Sequence, residues 1–360
     1  MAIVHADNFS IYGTTYALML NGIYAQVVTT TPSGQQPLRN DPDGVSGGKV
    51  FIPGYGAGSG FARFVLPTLD NTVGACFRIW MSSLPTKTTG AGRAAPSFWF
   101  QDAAIGTLFR LYVTETGRIR VEGIGAQSYE TVNPVLTANG WYHIEFKAFM
   151  DATVGSLEVR VEGQTVLLQE NINTGAFPAY QVSIGTEASG AGINAFAYFK
   201  DLVVWNGAGT QNNDFLGSVI VHNLTPTSDI ALNWTPSTGT DGYSILDNIP
   251  PNDGQYIFAE DSPLPDGYVA TLSDLPPEVT SIKALITYVR AAKSDGGDGS
   301  LQTGLISDPD GTPATALGLD RPITVAQTYW RDIFEVDPAT TAPWLPDAVN
   351  DVQLQIDRTT

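Results

Sequence analysis

The sequence predicts an all-β protein made of two antiparallel β-sandwich (jelly-roll) domains. The clearest signal lies in residues 142–148 and 156–162, where apolar and polar side chains alternate. This is the period of a strand with one buried and one solvated face. Gly163 and Gln164 turn the chain into a further apolar run. Short apolar runs between clusters of Gly, Pro, Asn and Asp recur along most of the chain, as in sandwiches and barrels.

The alternation assigns a face to each side chain of residues 142–148. The apolar members are predicted to point into the core: Tyr142, Ile144, Phe146 and Ala148. The polar members are predicted to face water: His143, Glu145 and Lys147.

Composition limits the classes of function. The chain has 360 residues, enough for two domains, and only 15% of them are charged, against about 25% in an average globular protein. The net charge is −18 and is uneven. Residues 1–216 hold 12 basic and 16 acidic residues, whereas residues 217–360 hold 6 and 20. Such acidity repels phosphate and anionic lipid, so we expect no binding to nucleic acid and none to membranes.

A polar, glycine-bearing segment at residues 206–213 is the predicted domain boundary. It separates a domain over residues 1–210 from an acidic domain over residues 214–360, in which strands are predicted to begin again at 216–222. Residues 278–293 have apolar side chains at both helical and strand spacing. The surrounding β pattern favours a strand there.

The chain also predicts a cytoplasmic folding environment. Cys76 is the single cysteine and lies in an apolar run, which indicates a buried, unreactive thiol. The N-terminus lacks the basic and apolar segments of a signal peptide. No apolar stretch is long enough to insert into a membrane.

Patterns typical of catalysis are missing from the sequence. Glu158 and Glu162 alternate outward, but Arg160 lies between them as a predicted ion-pair partner. No serine nucleophile elbow occurs, and the glycine-rich residues 54–60 lack the Lys-Ser/Thr end of a phosphate-binding loop. The histidines lack the spacing of zinc ligands: His5, His143 and His222. These absences predict a protein that is not an enzyme and needs no cofactor.

Asp-rich turns suggest one metal hypothesis. Two Asp-Pro-Asp-Gly turns supply the oxygen ligands that calcium prefers: Asp41 and Asp43, and Asp308 and Asp310. Neither turn has the distal bidentate glutamate of an EF-hand loop. The same residues are favoured by ordinary turns, and we take the turn as the main interpretation and a Ca²⁺ site as the alternative.

Aromatic residues in loop-like stretches are the candidate ligand contacts, because aromatic rings stack on sugar faces. These are Tyr55, Trp99, Tyr129 and Trp344. Four other tryptophans lie in strand patterns and are predicted to be core residues: Trp80, Trp141, Trp205 and Trp330.

The first half resembles the concanavalin-A-like (laminin-G-like) jelly-roll family. The resemblance runs over residues 1–206 and rests on residues 140–146, 155–163 and 199–205. It implies a sandwich fold. It leaves the ligand open, because this family includes lectins, glycosidases, adhesion modules and spacers.

The second half resembles a domain found in structural proteins of tailed bacteriophages. Matching residues occur at 232–237, 243–247, 250–257, 275–276, 291–297, 337–340, 343–344 and 352–358. The resemblance implies a homo-oligomeric virion surface protein, assembled in the host cytoplasm beside other virion proteins. A tail fibre, head spike or baseplate-associated appendage that attaches to a host-surface glycan is the main expectation. The alternatives are a capsid decoration protein, a carbohydrate-binding module without a virion role, and a glycoside-active enzyme.

Overall fold

The structure is a computed structural model. It describes residues 2–12, 16–28, 38–40, 49–51, 60–86, 94–104, 106–124, 127–188, 197–259, 266–294 and 296–360. The chain forms two compact units, Met1–Val221 and His222–Thr360. The first unit therefore extends past the boundary that the sequence suggests at residues 206–213. Strands dominate both units, which confirms the predicted all-β class.

The first unit contains fifteen strands and two short 3-10 helices among its described residues. The helices are Ser10–Tyr12 and Tyr16–Leu20. The strands are β1 Ile3–Asp7, β2 Gln26–Val28, β3 Leu38–Asn40, β4 Lys49–Phe51, β5 Gly60–Val65, β6 Thr72–Met81, β7 Ala94–Gln101, β8 Thr107–Val113, β9 Ile119–Gly123, β10 Ser128–Glu130, β11 Trp141–Phe149, β12 Gly155–Val161, β13 Gln164–Ile172, β14 Gln181–Ala188 and β15 Ala197–Asn206.

These strands form two antiparallel sheets. The eight-stranded sheet has the order β13-β12-β11-β6-β15-β4-β3, with β1 also paired to β15. The seven-stranded sheet has the order β10-β9-β8-β7-β14-β5-β2. About half of the neighbouring strands are far apart in sequence, so long-range pairing as well as hairpins defines the sandwich.

Aromatic side chains from both sheets make the core between them. Phe77 of β6 stacks on Phe98 of β7 with ring centroids 5.2 Å apart. Phe146 of β11 stacks on Phe100 of β7 at 5.4 Å. All four side chains are essentially inaccessible to solvent. The predicted inward face of residues 142–148 is confirmed for Phe146, and its packing against the other sheet explains why the alternation is so regular.

The hairpin between β12 and β13 turns at Glu162 and Gly163, which both have positive φ (49° and 76°). Two successive residues of positive φ form the turn whose twist matches that of paired strands. The turn therefore lies one residue earlier than the sequence pattern indicated.

A segment without strands, residues 207–221, crosses the outer face of the eight-stranded sheet, and we call it the strap. The backbone N–H groups of Leu216 and Gly217 donate to Glu145 Oε1 at 2.9 and 3.0 Å. The Phe215 ring lies 3.7 Å from the Arg160 guanidinium carbon. Further along, Val221 N donates to Asp201 Oδ1 at 3.1 Å, and Asp201 has positive φ within a bulge of β15.

The strap corrects two sequence predictions. Residues 216–222 form no strand. His143 and Glu145 are 2% and 1% exposed instead of facing water. Alternation correctly placed both side chains on the outer face of β11, but a second layer covers that face. Burial raises the pKa of Glu145, although the N–H groups of the strap lower it in part.

The second unit contains ten strands and two short helices among its described residues. The helices are α1 Tyr243–Leu246 and α2 Pro346–Asn350. The strands are β16 Pro226–Leu232, β17 Thr235–Pro236, β18 Ile257–Phe258, β19 Asp266–Leu272, β20 Leu285–Ala291, β21 Ser300–Ser307, β22 Ala314–Leu317, β23 Arg321–Pro322, β24 Thr328–Phe334 and β25 Gln353–Arg358.

A six-stranded sheet, ordered β16-β19-β25-β21-β22 with β23 also paired to β21, is the largest sheet of this unit. The pair β20-β24 supplies two further strands. Strand β20 lies in residues 278–293, so the preference for strand over helix there is confirmed. No helix among the described residues of either unit is long and apolar enough to cross a membrane.

Candidate functional site

The outer face of the seven-stranded sheet carries a polar row that crosses six strands in register. Because Phe98 and Phe100 of β7 point into the core, Trp99 and Gln101 point outward. Successive pairings then align the row Gln26, Arg63, Ser183, Trp99, Arg110 and Glu122. We call these six residues, with Phe61, Gln101, Tyr112 and Arg120 on the same face, the arginine face.

Arg63 lies at the centre of the half formed by β2, β5 and β14. Its Nε donates to Ser183 Oγ at 3.3 Å and its Nη1 to Gln26 Oε1 at 3.0 Å. Neither acceptor carries a charge, and no carboxylate contacts Arg63 in the described parts of the chain. Burial lowers the pKa of Arg63, although an arginine remains cationic at any physiological pH. Arg63 is thus a partly buried cation without a counter-ion among these residues.

A buried polar layer supports Arg63 from below. Ser183 Oγ accepts from Arg63 and donates to Gln101 Oε1 at 3.2 Å. Ser183 is inaccessible to solvent and Gln101 is 4% exposed. Burial and the hydrogen bond to Gln101 fix Ser183, so the guanidinium that it holds loses less freedom when it binds a ligand.

Aromatic rings flank this cation. Phe61 and Trp99 meet edge to face with centroids 5.7 Å apart. The Arg63 guanidinium carbon lies 5.0 Å from the Phe61 centroid, and that of Arg110 lies 5.9 Å from the centroid of Trp99. The face therefore combines positive charge with apolar ring surface, two features that recognise an acidic sugar in different ways.

The opposite end of the arginine face has its charge balanced internally. Tyr112 Oη donates to Glu122 Oε1 at 2.7 Å. Arg120 Nε donates to Glu130 Oε2 at 2.6 Å, and its Nη1 donates to Tyr112 Oη at 3.3 Å. Burial lowers the pKa of Arg120, but hydrogen bonds to Glu130 and Tyr112 outweigh it and raise the pKa overall. Arg63, not Arg120, is therefore the cation suited to a ligand anion.

The structure separates the four aromatic ligand candidates. Trp99 lies on the arginine face and is 7% exposed. Tyr129 lies on the edge strand β10, and its hydroxyl donates to Gln127 Oε1 at 3.2 Å. Trp344 is a correction, because it is 2% exposed in the core of the second unit and its Nε1 donates to the Phe334 carbonyl. Tyr55 lies outside the described residues.

The turn interpretation of the aspartates fits the part that the structure describes. Asp308 has positive φ, and its Oδ2 accepts from the backbone N–H of Thr312 at 2.9 Å, which closes the connection from β21 to β22. Within the described ranges, no cluster of three or more metal-ligating side chains occurs near Asp308 and Asp310 or elsewhere. Asp41 and Asp43 lie outside those ranges.

The four tryptophans predicted to be core residues differ in burial. Trp205 is fully buried, as predicted. Trp80, Trp141 and Trp330 are partly exposed, so for them the prediction was wrong. A strand pattern identifies the two faces of a strand, but it does not show which face the other sheet covers.

Sequence reasoning missed Arg63, Ser183 and Gln101. Each occupies the polar position of an alternating strand, which was the one available signal. The strands that carry them are separated by up to 120 residues along the chain, and only their pairing brings the three side chains together.

Comparisons with known proteins identify no family for this chain. No family model and no curated protein match this chain. Among solved structures, alginate lyase Aly36B is 12% identical with a TM-score of 0.36, covering 55% of this chain and 95% of that one. An endo-β-1,4-glucuronan lyase from the fungus Trichoderma reesei is 10% identical with a TM-score of 0.34, covering 51% and 95%. A sialidase is 16% identical with a TM-score of 0.32, covering 46% of this chain and only 15% of the sialidase.

These likenesses concern the sandwich fold alone, since identities and TM-scores are low. They nevertheless overturn the prediction that the protein is not an enzyme. The similar solved structures include a sialidase and two polysaccharide lyases, which are enzymes, so that prediction is withdrawn.

Proposed function

We propose that the first unit binds an acidic polysaccharide on the arginine face. The observation that carries the proposal is Arg63, a partly buried cation held by Ser183 and Gln26 with no carboxylate among its described contacts. A ligand carboxylate would supply the missing counter-ion through a charge-assisted hydrogen bond.

The donor geometry of Arg63 supports an anionic ligand. Nε and Nη1 are used by Ser183 and Gln26, whereas Nη2 has no hydrogen-bond partner among the described residues. Nη2 therefore retains its N–H donors. The partly exposed Phe61 ring lies next to it and offers apolar surface to the sugar ring, while the buried Trp99 ring packs against Phe61. Charge would select the acidic substituent, and stacking would add affinity.

Replacing Arg63 with glutamine is the direct test. We expect Arg63→Gln to weaken binding to polyuronates such as alginate and polygalacturonate about tenfold or more, since a charge-assisted hydrogen bond contributes roughly 1.5–3 kcal/mol. Wild-type binding should also weaken with added salt. Affinity electrophoresis followed by isothermal titration calorimetry measures both effects.

Arg118→Gln is the matched control, because it removes the same charge from an arginine that contacts Glu130 away from Arg63. It should leave polyuronate affinity within about twofold. Equal affinities of Arg63→Gln and the wild type would refute the proposal. The same incubations are assayed for new reducing ends and unsaturated uronates, so that cleavage of the polymer at this face is detected directly.

We further propose that the second unit carries this glycan-binding unit on a bacteriophage particle. The support is the resemblance of residues 232–358 to virion structural proteins, together with the acidity of residues 217–360. Quantitative mass spectrometry of purified particles tests it. Absence of the chain from particles would refute it, and its copy number would distinguish a fibre or spike from a capsid decoration protein.

A further inference from the structure

Three aromatic side chains form a row on the outer face of the eight-stranded sheet, away from the arginine face. Trp80 of β6 pairs in register with Trp141 of β11 on one side and with Tyr198 of β15 on the other. The three side chains lie on one face and are partly exposed. The Trp80 and Tyr198 centroids are 5.0 Å apart. Adjacent strands lie about 4.8 Å apart, so the row spans about 10 Å.

The face that bears this aromatic row is the outer one. Ile79 and Met81 flank Trp80 in β6 and are essentially buried, pointing to the sandwich core. The strap crosses the same sheet at Glu145 and Asp201, further along the strands. The strap contacts described above therefore do not involve Trp80 or Trp141.

The charges next to the row already have partners. Arg78 Nε lies 3.8 Å from Asp201 Oδ2. Lys200 Nζ lies 5.0 Å from the Trp141 centroid, and the lysine is 6% exposed. Unlike Arg63, these cations already interact with a carboxylate or an aromatic ring, so they give no reason to expect an anionic ligand. The row offers ring surface, which recognises the apolar face of an uncharged sugar.

Unsatisfied polar atoms lie beside the row. Trp141 Nε1 and both ring nitrogens of His143 are buried and have no hydrogen-bond partner among the described residues. His143 is 2% exposed and follows Trp141 on the same face of β11. These atoms are inaccessible to solvent, so they offer no contact to a surface-bound sugar, and the binding surface consists of the exposed parts of the three rings.

We propose that Trp80, Trp141 and Tyr198 form a second saccharide-binding surface, which takes the pyranose rings of a neutral polysaccharide by stacking. This surface is independent of the arginine face and lies on the other sheet. A single short oligosaccharide cannot contact both outer faces of one sandwich, so the two surfaces bind separate chains or separate stretches of one polymer. The consequence is cross-linking of an acidic and a neutral glycan.

The test measures binding to a panel of soluble neutral polysaccharides, namely a β-glucan, a galactomannan and dextran, by affinity electrophoresis. We expect wild-type protein to bind at least one of them with little dependence on salt. Trp80→Ala and Trp141→Ala should each weaken that binding about tenfold, the effect of losing one stacking contact. Trp80→Phe should retain most of it, which shows that an aromatic ring and not general stability matters.

Two controls make the result decisive. Phe177→Ala removes an aromatic side chain that is 66% exposed elsewhere in the same unit, and it should bind neutral polysaccharide like the wild type. Arg63→Gln should do the same while losing polyuronate binding. Failure of every neutral polysaccharide to bind, or wild-type binding by folded Trp80→Ala and Trp141→Ala, would overturn this second surface. Loss of neutral binding in Arg63→Gln would also overturn it, because a single site would then explain both ligands. Retention of polyuronate binding by Arg63→Gln refutes only the arginine face.

Discussion

Trp205→Ala is expected to destabilise the first unit by about 3–5 kcal/mol, the usual cost of truncating a fully buried aromatic side chain. Trp205 is inaccessible to solvent on the outer face of β15. It lies directly over Gly74 of β6 and meets Phe215 of the strap with centroids 6.4 Å apart. Its loss would open a cavity between the sheet and the strap. Urea unfolding followed by circular dichroism measures the change.

A double-mutant cycle with Gly74 tests the cause of that loss. A Cβ at position 74 would overlap ring atoms Cε2 and Cζ2 of Trp205, so Gly74→Ala alone should destabilise the unit by about 1–3 kcal/mol. In the Trp205→Ala background the same substitution should cost much less, because the clash is gone. Additive effects would show that Trp205 does not pack on Gly74. Phe177→Ala, at an exposed position, should be close to neutral.

The strap also shows where sequence reasoning stops. Alternation in residues 142–148 correctly separated Ile144 and Phe146 from His143 and Glu145, because the strand period is local. It could not show that the second face is covered, since the covering residues follow some 70 positions later and form no regular element. The single local sign is Phe215, an aromatic residue within a polar stretch.

The candidate site was harder to predict for a related reason. Trp99 was singled out as an aromatic near a loop, yet its role in the structure depends on neighbours from β5, β8 and β14. Arg63, Ser183 and Gln101 each look like ordinary polar residues on the wet side of a strand. The order of the strands in the sheet brings them together, so that Ser183 and Gln101 form a buried polar layer that holds the Arg63 cation. Strand order is the property that a single sequence specifies least directly.

The two proposed surfaces differ in physical character. The arginine face depends on a cation lacking a carboxylate partner, so its binding should weaken as salt screens charge. The aromatic row has its cations already engaged by Asp201 and Trp141, so its binding should be largely insensitive to salt. Salt dependence therefore assigns a glycan to one surface or the other before any variant is made.

His143 is expected to make the first unit less stable in acid. Burial lowers the pKa of His143 to about 4, and the nearby Arg78 adds to this effect. In the unfolded chain its pKa returns to about 6.5. Between about pH 6.5 and about pH 4 His143 is therefore protonated in the unfolded state but neutral in the folded state. The free energy of unfolding falls as the pH falls through this range. The loss approaches 3 kcal/mol and is complete below about pH 4, where both states are protonated.

Selective isotope labelling of histidine and an NMR titration measure this pKa directly. A pKa near 4 for His143 supports the argument, whereas a value near 6.5 would contradict it. His143→Phe keeps a ring but cannot titrate. Between pH 7 and pH 4 the free energy of unfolding of the wild type should therefore fall by about 3 kcal/mol relative to that of the variant. This comparison separates the effect of His143 from that of Glu145 on the same face. The raised pKa of Glu145 increases the free energy of unfolding as the pH falls, which is the opposite effect.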